Sequence, residues 1–215
     1  MNRIQSPRKF RMLGGICAAM AIALVSATAC AAEIPEREQW VDLFNGEDLE
    51  GWYATGGSEW LVEDGILIGR QGEDYAAGDL FTEESFSDFE FLAEYRCVWP
   101  ANSGIWFRYT DHENAYQADI LEFEEPEAYT GSIYAYGRLF IAINDDPAVE
   151  DRDGWNTMRI RAVGDHLEVW INGIKTADIH DDHFSEGRFG IQVHPGEEFG
   201  DMEIHIREAR VKVLE

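Results

Sequence analysis

Apolar and polar residues alternate along most of the chain after Trp40. Residues 89–97 (Phe-Glu-Phe-Leu-Ala-Glu-Tyr-Arg-Cys) place apolar side chains at odd positions and mostly charged ones at even positions. A period of two predicts a strand with one buried face. The same alternation predicts strands over residues 158–162, 167–171, 189–194 and 202–206, and shorter ones over 60–62, 66–68, 104–109 and 116–121.

Turn residues separate these segments at short intervals. Asn172-Gly173 follows an alternating segment directly and is the dipeptide most typical of a two-residue hairpin. No segment keeps helical spacing for three turns. Many short strands of this kind predict an all-β fold in which two antiparallel sheets pack face to face, as a sandwich or jelly roll.

The first 32 residues have the three parts of a secretion signal. Arg3, Arg8, Lys9 and Arg11 precede an apolar run over residues 12–25, which is too short to span a bilayer comfortably, and small residues follow. We therefore predict a signal over 1–32, a short linker over 33–39, one domain over 40–215, and a periplasmic or secreted location. Cys30 leaves a second interpretation open, in which lipid attachment makes the protein an envelope lipoprotein.

The charge of the chain limits its partners. Its 42 Asp and Glu against 17 Lys and Arg give a net charge of −25, which argues against nucleic acid and against docking of the folded surface on anionic lipid. Cys97 is the one cysteine outside the leader segment. It alternates with apolar residues, so we expect a buried thiol and no internal disulfide.

Polar residues occur in phase on several predicted strands. Four pairs each share a strand face: Trp106 with Arg108, Gln117 with Asp119, Gln192 with His194, and Glu90 with Glu94. On this alternation, Phe107 and Tyr109 point away from Arg108. If these strands are neighbours, the amides, carboxylates and aromatic ring suit a sugar, whose hydroxyls need planar polar partners and whose apolar face needs a ring. The alternative is that each strand merely has a solvated outer face.

Two other clusters allow metal binding without requiring it. His180-x-x-His183 has the spacing of metal ligands but equally suits a polar hairpin loop. The acidic run over residues 122–127 offers oxygen ligands for calcium, but it lacks the glycine and alternating pattern of a calcium loop. We interpret both as solvated loops.

Several motifs in order resemble one family. Val41-Asp42-Leu43-Phe44-Asn45-Gly46, Asn102-Ser103-Gly104-Ile105-x-x-Arg108, Trp155-Asn156-Thr157 and Gly190-Ile191-Gln192-x-His194 are among them. Together they resemble the 3-keto-disaccharide hydrolase domain family from about Trp40 to Leu214. The resemblance implies a concanavalin A-like jelly roll, secretion and activity on carbohydrates. Where the family usually has Tyr-Glu-x-Gln-Ile-Leu-Asp, residues 116–122 read Tyr-Gln-Ala-Asp-Ile-Leu-Glu, so acid and amide are exchanged.

The resemblance also implies a reaction, namely cleavage of a glycoside that carries a ketone at C3. The ketone acidifies the C2 hydrogen, and the aglycone then leaves from C1 by elimination. We hypothesise that Arg108 stabilises the enolate oxygen and that His194 acts as acid or base. Asp119 and Glu94 are the carboxylate candidates for C2 proton removal or metal binding. We expect the sugar to be held by Trp106, Gln117, Gln192 and Asn102.

A divalent metal is a candidate cofactor, with His194 and a strand carboxylate as ligands.

Three functions remain open at this point. An enzyme requires Arg108, His194 and a carboxylate within about 4–6 Å of one another, where charges perturb each other's pKa. A non-catalytic sugar-binding module requires only a shallow aromatic platform. A structural or adhesive envelope protein requires a large exposed apolar patch.

Overall fold

The computed structural model describes residues 39–214. The predicted secretion signal, the lipid attachment at Cys30 and the linker up to residue 38 lie outside the described residues. Within the described part, no helix is long and apolar enough to cross a membrane. Short 3-10 helices occur between strands, among them Glu73–Tyr75, Pro147–Val149 and Glu197–Phe199.

In the described part of the chain, sixteen strands form two antiparallel sheets. Their bounds are β1 Val41–Asp42, β2 Trp52–Gly56, β3 Glu59–Glu63, β4 Ile66–Arg70, β5 Gly78–Thr82, β6 Phe89–Cys97, β7 Asn102–Asp111, β8 Asn114–Glu124, β9 Glu127–Tyr129, β10 Ile133–Ala135, β11 Leu139–Ala142, β12 Asn156–Val163, β13 His166–Ile171, β14 Ile174–His180, β15 Arg188–Val193 and β16 Glu203–Val213. The front sheet has the order β11-β10-β8-β7-β15-β5-β2, with β9 beside β8. The back sheet has the order β14-β13-β12-β6-β16-β4-β3, with β1 beside β16. The predicted all-β fold of two antiparallel sheets is therefore confirmed.

The core lies between the sheets and follows the alternation in the sequence. On β6 the odd positions from Phe89 to Cys97 are buried, while the even ones face outward. Phe89 packs edge to face on Phe189 of the front sheet, with ring centroids 4.6 Å apart. Burial raises the pKa of the Cys97 thiol well above its ordinary value, and Cys97 is a free cysteine, as predicted.

Strand β8 departs from the one-face pattern because its residues from Ala115 to Leu121 are all buried. Its apolar side faces the core, so Gln117 and Asp119 are buried on the outer face of the front sheet. The alternative of a merely solvated outer face therefore does not hold for these two residues. The strand also continues into the acidic run over 122–127, of which residues 122–124 belong to β8, residues 125–126 form a turn and Glu127 begins β9.

A bulge interrupts β7 beyond Phe107. The pairing with β8 and with β15 shifts register there, and Arg108 has a φ of 51°, in the left-handed region. An extra residue on one strand reverses the alternation beyond it. Tyr109 therefore packs near Trp106, with ring centroids 6.0 Å apart, and the prediction that Trp106 and Arg108 share a face is wrong.

Candidate functional site

A cavity of about 220 Å³ lies on the outer face of the front sheet. It is lined by Asn102, Trp106, Gln117, Asp119, Leu121, Phe123, Tyr134, Leu139, Phe140, Gln192 and His194. Six of the eight residues that the sequence suggested for a site therefore meet here, from strands β7 and β8 and from β15 with its following loop. Arg108 and Glu94 do not.

Cross-strand pairing brings these residues together in two rows. In the first row, Gln192 is paired with Gly104, which is paired with Asp119. In the second, Trp106 is paired with Gln117, which is paired with Tyr134. Residues two apart on a strand share a face, so both rows present side chains to the same side of the sheet.

Two glycines leave space for the side chains of the site, because a Cβ atom at either position would collide with them. A Cβ at Gly104 would lie 2.8 Å from Nε2 of Gln117, and one at Gly190 would lie 3.2 Å from Cδ1 of Trp106. Without these Cβ atoms, each larger side chain can extend across the neighbouring strand. Gln117 thereby donates from Nε2 to Oε1 of Gln192 at 2.9 Å, which joins two amides over β7.

Asp119 is the unsatisfied group of the site. It is 2 % exposed, and its Oδ2 atom is buried without a hydrogen-bond partner among residues 39–214. Burial raises the pKa of this carboxyl well above its ordinary value. Burial, and secondly the charge of Asp119, also raise the pKa of the neighbouring Tyr134 hydroxyl. A buried carboxyl without a partner is costly, so a ligand group that hydrogen bonds to it would offset that cost.

The other polar residues of the cavity are held in defined orientations. Trp106 donates from Nε1 to Oδ1 of Asp79 at 2.8 Å, and its ring lies edge to face against Tyr134 at 6.2 Å. Nδ1 of His194 lies 2.7 Å from the carbonyl oxygen of Pro195. Since a carbonyl only accepts, Nδ1 carries the hydrogen, and Nε2 is left for a ligand.

One wall of the cavity is apolar. Phe123 and Phe140 pack edge to face with centroids 5.4 Å apart, and Leu121 and Leu139 extend this wall. Sequence reasoning missed Phe123, Phe140 and Tyr134 because they lie in short strands or in the acidic run. The apolar Phe123 within that run, and the Thr130-Gly131-x-Ile133-Tyr134 motif that also resembles the family, were the available signals.

Sequence reasoning also missed Asp79 on β5. It is 5 % exposed, and burial raises the pKa of its carboxyl, while the hydrogen bond from Trp106 and the charge of His112 oppose this shift. Its signal was a single acid inside the otherwise apolar segment Gly78–Thr82, where a solvated side chain is not expected.

Arg108 lies in a different region, and the predicted group of Arg108, His194 and a carboxylate is not formed. Its side chain is 1 % exposed and donates to the carbonyl oxygens of Ser87, Gly164 and Phe184 and to Oδ1 of Asp88, over 2.8–3.2 Å. It lines a separate cavity that does not include His194 or Asp119. The physical reason is the bulge, which turns Arg108 away from the face of Trp106.

Glu94 lies on the outer face of the back sheet, so its predicted place beside His194 is also wrong. It forms an ion pair with Arg207 of β16, and that hydrogen bond lowers the pKa of the Glu94 carboxyl. Alternation places a residue on an inner or outer face, but it does not say which of the two sheets the strand joins. For Glu94, that second choice was the one that mattered.

The grouping most like a metal site in the described part of the chain is on the back sheet. Ligand atoms of His166, Glu168 and Asp178 lie within 4.8 Å of one another. Nζ of Lys175 already contacts both carboxylates, at 2.6 and 2.7 Å. His180 and His183 bind separate partners, Asp165 and Asp181. The proposed pairing of a metal with His194 and a strand carboxylate stays a prediction.

Comparison with known proteins agrees with the resemblance seen in the motifs. A family model described as 3-keto-alpha-glucoside-1,2-lyase-like domain matches residues 39–212. No curated protein matches the sequence significantly. A solved structure from Parabacteroides distasonis ATCC 8503, provisionally named a glycosyl hydrolase, has a TM-score of 0.62 at 22 % identity and covers 81 % of this chain and 99 % of its own.

Two further solved structures share the fold. A Bacillus subtilis protein with a galectin-like fold has a TM-score of 0.65 at 18 % identity, covering 80 % of this chain and 94 % of its own. The carbohydrate-binding module CBM66 from Bacillus subtilis has a TM-score of 0.54 at 21 % identity, covering 75 % and 95 %. The predicted jelly-roll sandwich is thereby confirmed.

Proposed function

The chain belongs to the family of 3-keto-alpha-glucoside-1,2-lyase-like domains, and on this premise we propose that its front-sheet cavity cleaves a glycoside oxidised to a ketone at C3. The observation that carries the proposal is Asp119, a buried carboxyl with an unpartnered oxygen in a cavity that also holds amides and aromatic rings. Such a group is costly to folding and suited to proton transfer.

The proposed reaction is an elimination. A base takes the proton from C2, and the electron pair left behind delocalises onto the C3 oxygen as an enolate. When the enolate collapses, a C1–C2 double bond forms and the C1–oxygen bond breaks, so the leaving oxygen takes up a proton and departs as an alcohol. Water that adds to C1 afterwards completes a net hydrolysis. This route needs no oxocarbenium-like state and no pair of glycosidase carboxylates.

The lining residues supply each requirement of this reaction. Asp119 is the base, because burial makes its carboxylate a stronger proton acceptor than a solvated one. The amide N–H groups of Asn102 and Gln192 donate to the enolate oxygen. They take the role of stabilising this oxygen that the sequence suggested for Arg108. His194, when protonated on both ring nitrogens, donates its Nε2 proton to the leaving oxygen. It takes a proton back from the water that adds to C1, while Asp119 returns its proton to C2, and Trp106 packs on the sugar ring.

The test is turnover of a chemically prepared 3-keto disaccharide, with and without EDTA, followed by release of the aglycone. We expect Asp119→Asn to lower kcat/KM by about a hundredfold or more, as loss of a general base does. Glu94→Gln is the matched control, because it changes a carboxylate on the opposite sheet, and it should keep wild-type turnover. Equal turnover by wild type and Asp119→Asn would contradict the assignment of the base.

A second candidate function is sugar binding without cleavage. Among residues 39–214, those that line the cavity include no Lys or Arg to stabilise an oxyanion, and the fold is shared with a carbohydrate-binding module. Calorimetry with the same ketone separates the two functions. Binding by wild type with no release of aglycone under any metal condition would favour the binding module.

We also propose that the protein works outside the cytoplasm, in the periplasm or as a secreted protein, or as a lipid-anchored envelope protein. The basic, apolar and small-residue segments of residues 1–32 support this. Mass spectrometry of the mature N-terminus tests it. Cleavage after Ala31 or Ala32 supports a signal peptide, lipid on Cys30 supports an anchor, and an intact Met1 in the cell extract contradicts both.

A further inference from the structure

The front-sheet cavity has a single hydroxyl side chain among its described lining residues, that of Tyr134 on β10. Two of the N–H donors in the cavity already have acceptors in the protein, because Nε1 of Trp106 donates to Asp79 and Nε2 of Gln117 donates to Gln192. A phenol O–H is a donor of a different kind from these amides and rings. Its position relative to Asp119 decides what it can do.

Strand pairing places Tyr134 diagonally across from Asp119. Tyr134 is opposite Gln117 on the neighbouring strand β8, and Asp119 lies two residues further along the same face. A backbone hydrogen bond of 3.0 Å from Asp119 to the carbonyl oxygen of Ser132 continues this register. Diagonal neighbours are about 7–8 Å apart, which is within reach of an aromatic side chain. The hydroxyl and the carboxyl can therefore contact neighbouring atoms of one ligand.

The amides that donate to the enolate oxygen lie on the other side of Asp119. Gly104 of β7 is opposite Asp119, so Asn102 is the diagonal neighbour on that strand. Gln192 is opposite Gly104 on β15, two strands from Asp119, or about 9–10 Å at the usual strand spacing. Tyr134 approaches from β10, so an oxygen held above Asp119 has a donor on each side.

The surroundings of Tyr134 fix its ring and keep its proton in place. The ring lies edge to face against Trp106, with centroids 6.2 Å apart, and it packs on a buried cluster that includes Phe81 and Tyr109. Burial, and secondly the charge of Asp119, raise the pKa of the Tyr134 hydroxyl. The group therefore stays a neutral donor near neutral pH. Such a donor suits a cavity whose described lining residues include no Lys or Arg.

The proposed elimination needs a donor directly beside its base. C2 and C3 are bonded to each other, so the oxygen that gains charge is two bonds from the carbon that loses its proton to Asp119. The electron pair of the C2–H bond moves onto that oxygen. A hydroxyl that donates to it keeps its own proton throughout the step, and its hydrogen bond strengthens as the oxygen becomes an anion.

We propose that Tyr134 is a further catalytic residue, whose hydroxyl donates a hydrogen bond to the C3 oxygen of the oxidised sugar and to the enolate formed from it. The inference rests on the proposed function, since it assumes that Asp119 takes the C2 proton in this cavity. It gives β10 the task of recognising the ketone oxygen, opposite Asn102 on β7.

Turnover of the 3-keto disaccharide gives the first test. Tyr134→Phe removes the hydroxyl and keeps the ring against Trp106, so the fold should be kept. We expect kcat/KM to fall about a hundredfold, as loss of one oxyanion donor does, with most of the loss in kcat because the bond strengthens in the transition state. Full turnover by Tyr134→Phe would overturn the assignment and leave the proposed function in place.

Tyr53→Phe is the matched control for this variant. It makes the same substitution at a tyrosine that is 38 % exposed and lies on β2, at the far edge of the same sheet. Tyr53 is not among the described lining residues of the cavity, so turnover should equal that of wild type. An equal loss in the two variants would show that the effect does not come from a donor in the cavity.

Two ligands that differ at C3 test the contact itself. They are the C3 ketone of methyl glucoside and methyl 3-deoxyglucoside, which has no oxygen at C3. Calorimetry is carried out in Asp119→Asn, where no cleavage is expected, with and without Tyr134→Phe. We expect the dissociation constant of the ketone to rise about fivefold to tenfold, the loss of one hydrogen bond, and that of the deoxy sugar to rise less than about twofold. An equal rise for both ligands indicates a structural role for the hydroxyl and would overturn the proposal.

The same two ligands separate a failure of this inference from a failure of the proposed function. If wild type releases no aglycone from the 3-keto disaccharide, the proposed function fails, and the two dissociation constants still decide whether Tyr134 contacts the C3 oxygen. A rise confined to the ketone supports that contact. No rise for either ligand, or no binding of the ketone at all, shows that it is wrong.

Discussion

Strand β7 carries two buried polar environments, one on each side of its bulge, and they differ in whether the protein satisfies its own polar groups. Before the bulge, Asn102 and Trp106 face the cavity that holds the unpartnered carboxyl of Asp119. After it, Arg108 is equally buried but donates to three carbonyl oxygens and to Asp88. The two environments are on one strand, a few residues apart.

The difference indicates which buried polar group has a structural role and which awaits a ligand. The guanidinium of Arg108 has its fixed fork of donors occupied by the protein, so it ties loops together and has little left to offer a substrate. Asp119 keeps a free oxygen in a cavity of molecular size. A buried polar group that the fold leaves unpaired needs a further explanation, and a ligand supplies one.

Removing Arg108 tests the structural half of this comparison and has the largest expected effect. Arg108→Ala leaves several buried carbonyls and Asp88 without a donor, so the free energy of unfolding should fall by about 3–5 kcal/mol in urea titrations. Arg152→Ala is the control, because its pair with Glu122 is solvent-exposed and contributes about 1 kcal/mol or less. An equal fall in the free energy of unfolding in the two variants would show that the hydrogen bonds of Arg108 do not stabilise the fold.

Filling the floor of the cavity tests the other half. The Cβ of Gly104→Ala would lie 2.8 Å from the carbonyl oxygen of Ala118 and from the side chain of Gln117. We expect a loss of about 1–3 kcal/mol in the free energy of unfolding from overpacking. Displacement of the Gln117–Gln192 pair should also weaken sugar binding, measured by calorimetry. Unchanged affinity would mean that this amide pair does not contact the ligand.

The pH dependence of stability sharpens the comparison further. Burial raises the pKa of Asp119 in the folded state, so the folded protein holds this proton more tightly than the unfolded chain does. The contribution of Asp119 to the free energy of unfolding is therefore greatest below the unfolded pKa of about 4, and it falls as pH rises toward the folded value. Asp119→Asn should remove this fall, which urea titrations across pH can measure. A variant that follows the wild-type pH profile would contradict the raised pKa.

The smallest effect is expected on the outer face of the back sheet. Glu94 pairs with Arg207 near solvent, where water screens the charges, so Glu94→Gln should change the free energy of unfolding by about 1 kcal/mol or less. Turnover of the 3-keto disaccharide should be unchanged. A large loss of turnover would restore Glu94 as a candidate for the site.

Much of the site could be predicted from phase along single strands. Gln117 with Asp119, and Gln192 with His194, were expected to share faces, and the structure brings them into one cavity with Trp106. The same reasoning failed for Arg108, because a single extra residue in β7 reverses the alternation of side chains between the two faces. The pattern of residues 102–111 gives no sign of this bulge. It failed for Glu94, because alternation does not assign a strand to one of two sheets.

The sequence by itself determined the class of the fold, the buried face of strands such as β6, and the family, because a period of two and a series of ordered motifs are local properties of the chain. Only the tertiary structure decided which polar residues are neighbours, since the pairing of β15 with β5 and with β7 joins Gln192 to Asp79 and to Gly104, which are distant along the chain. It also decided which buried polar groups find partners. That depends on where the backbone carbonyls of distant loops lie, and no local pattern records their position.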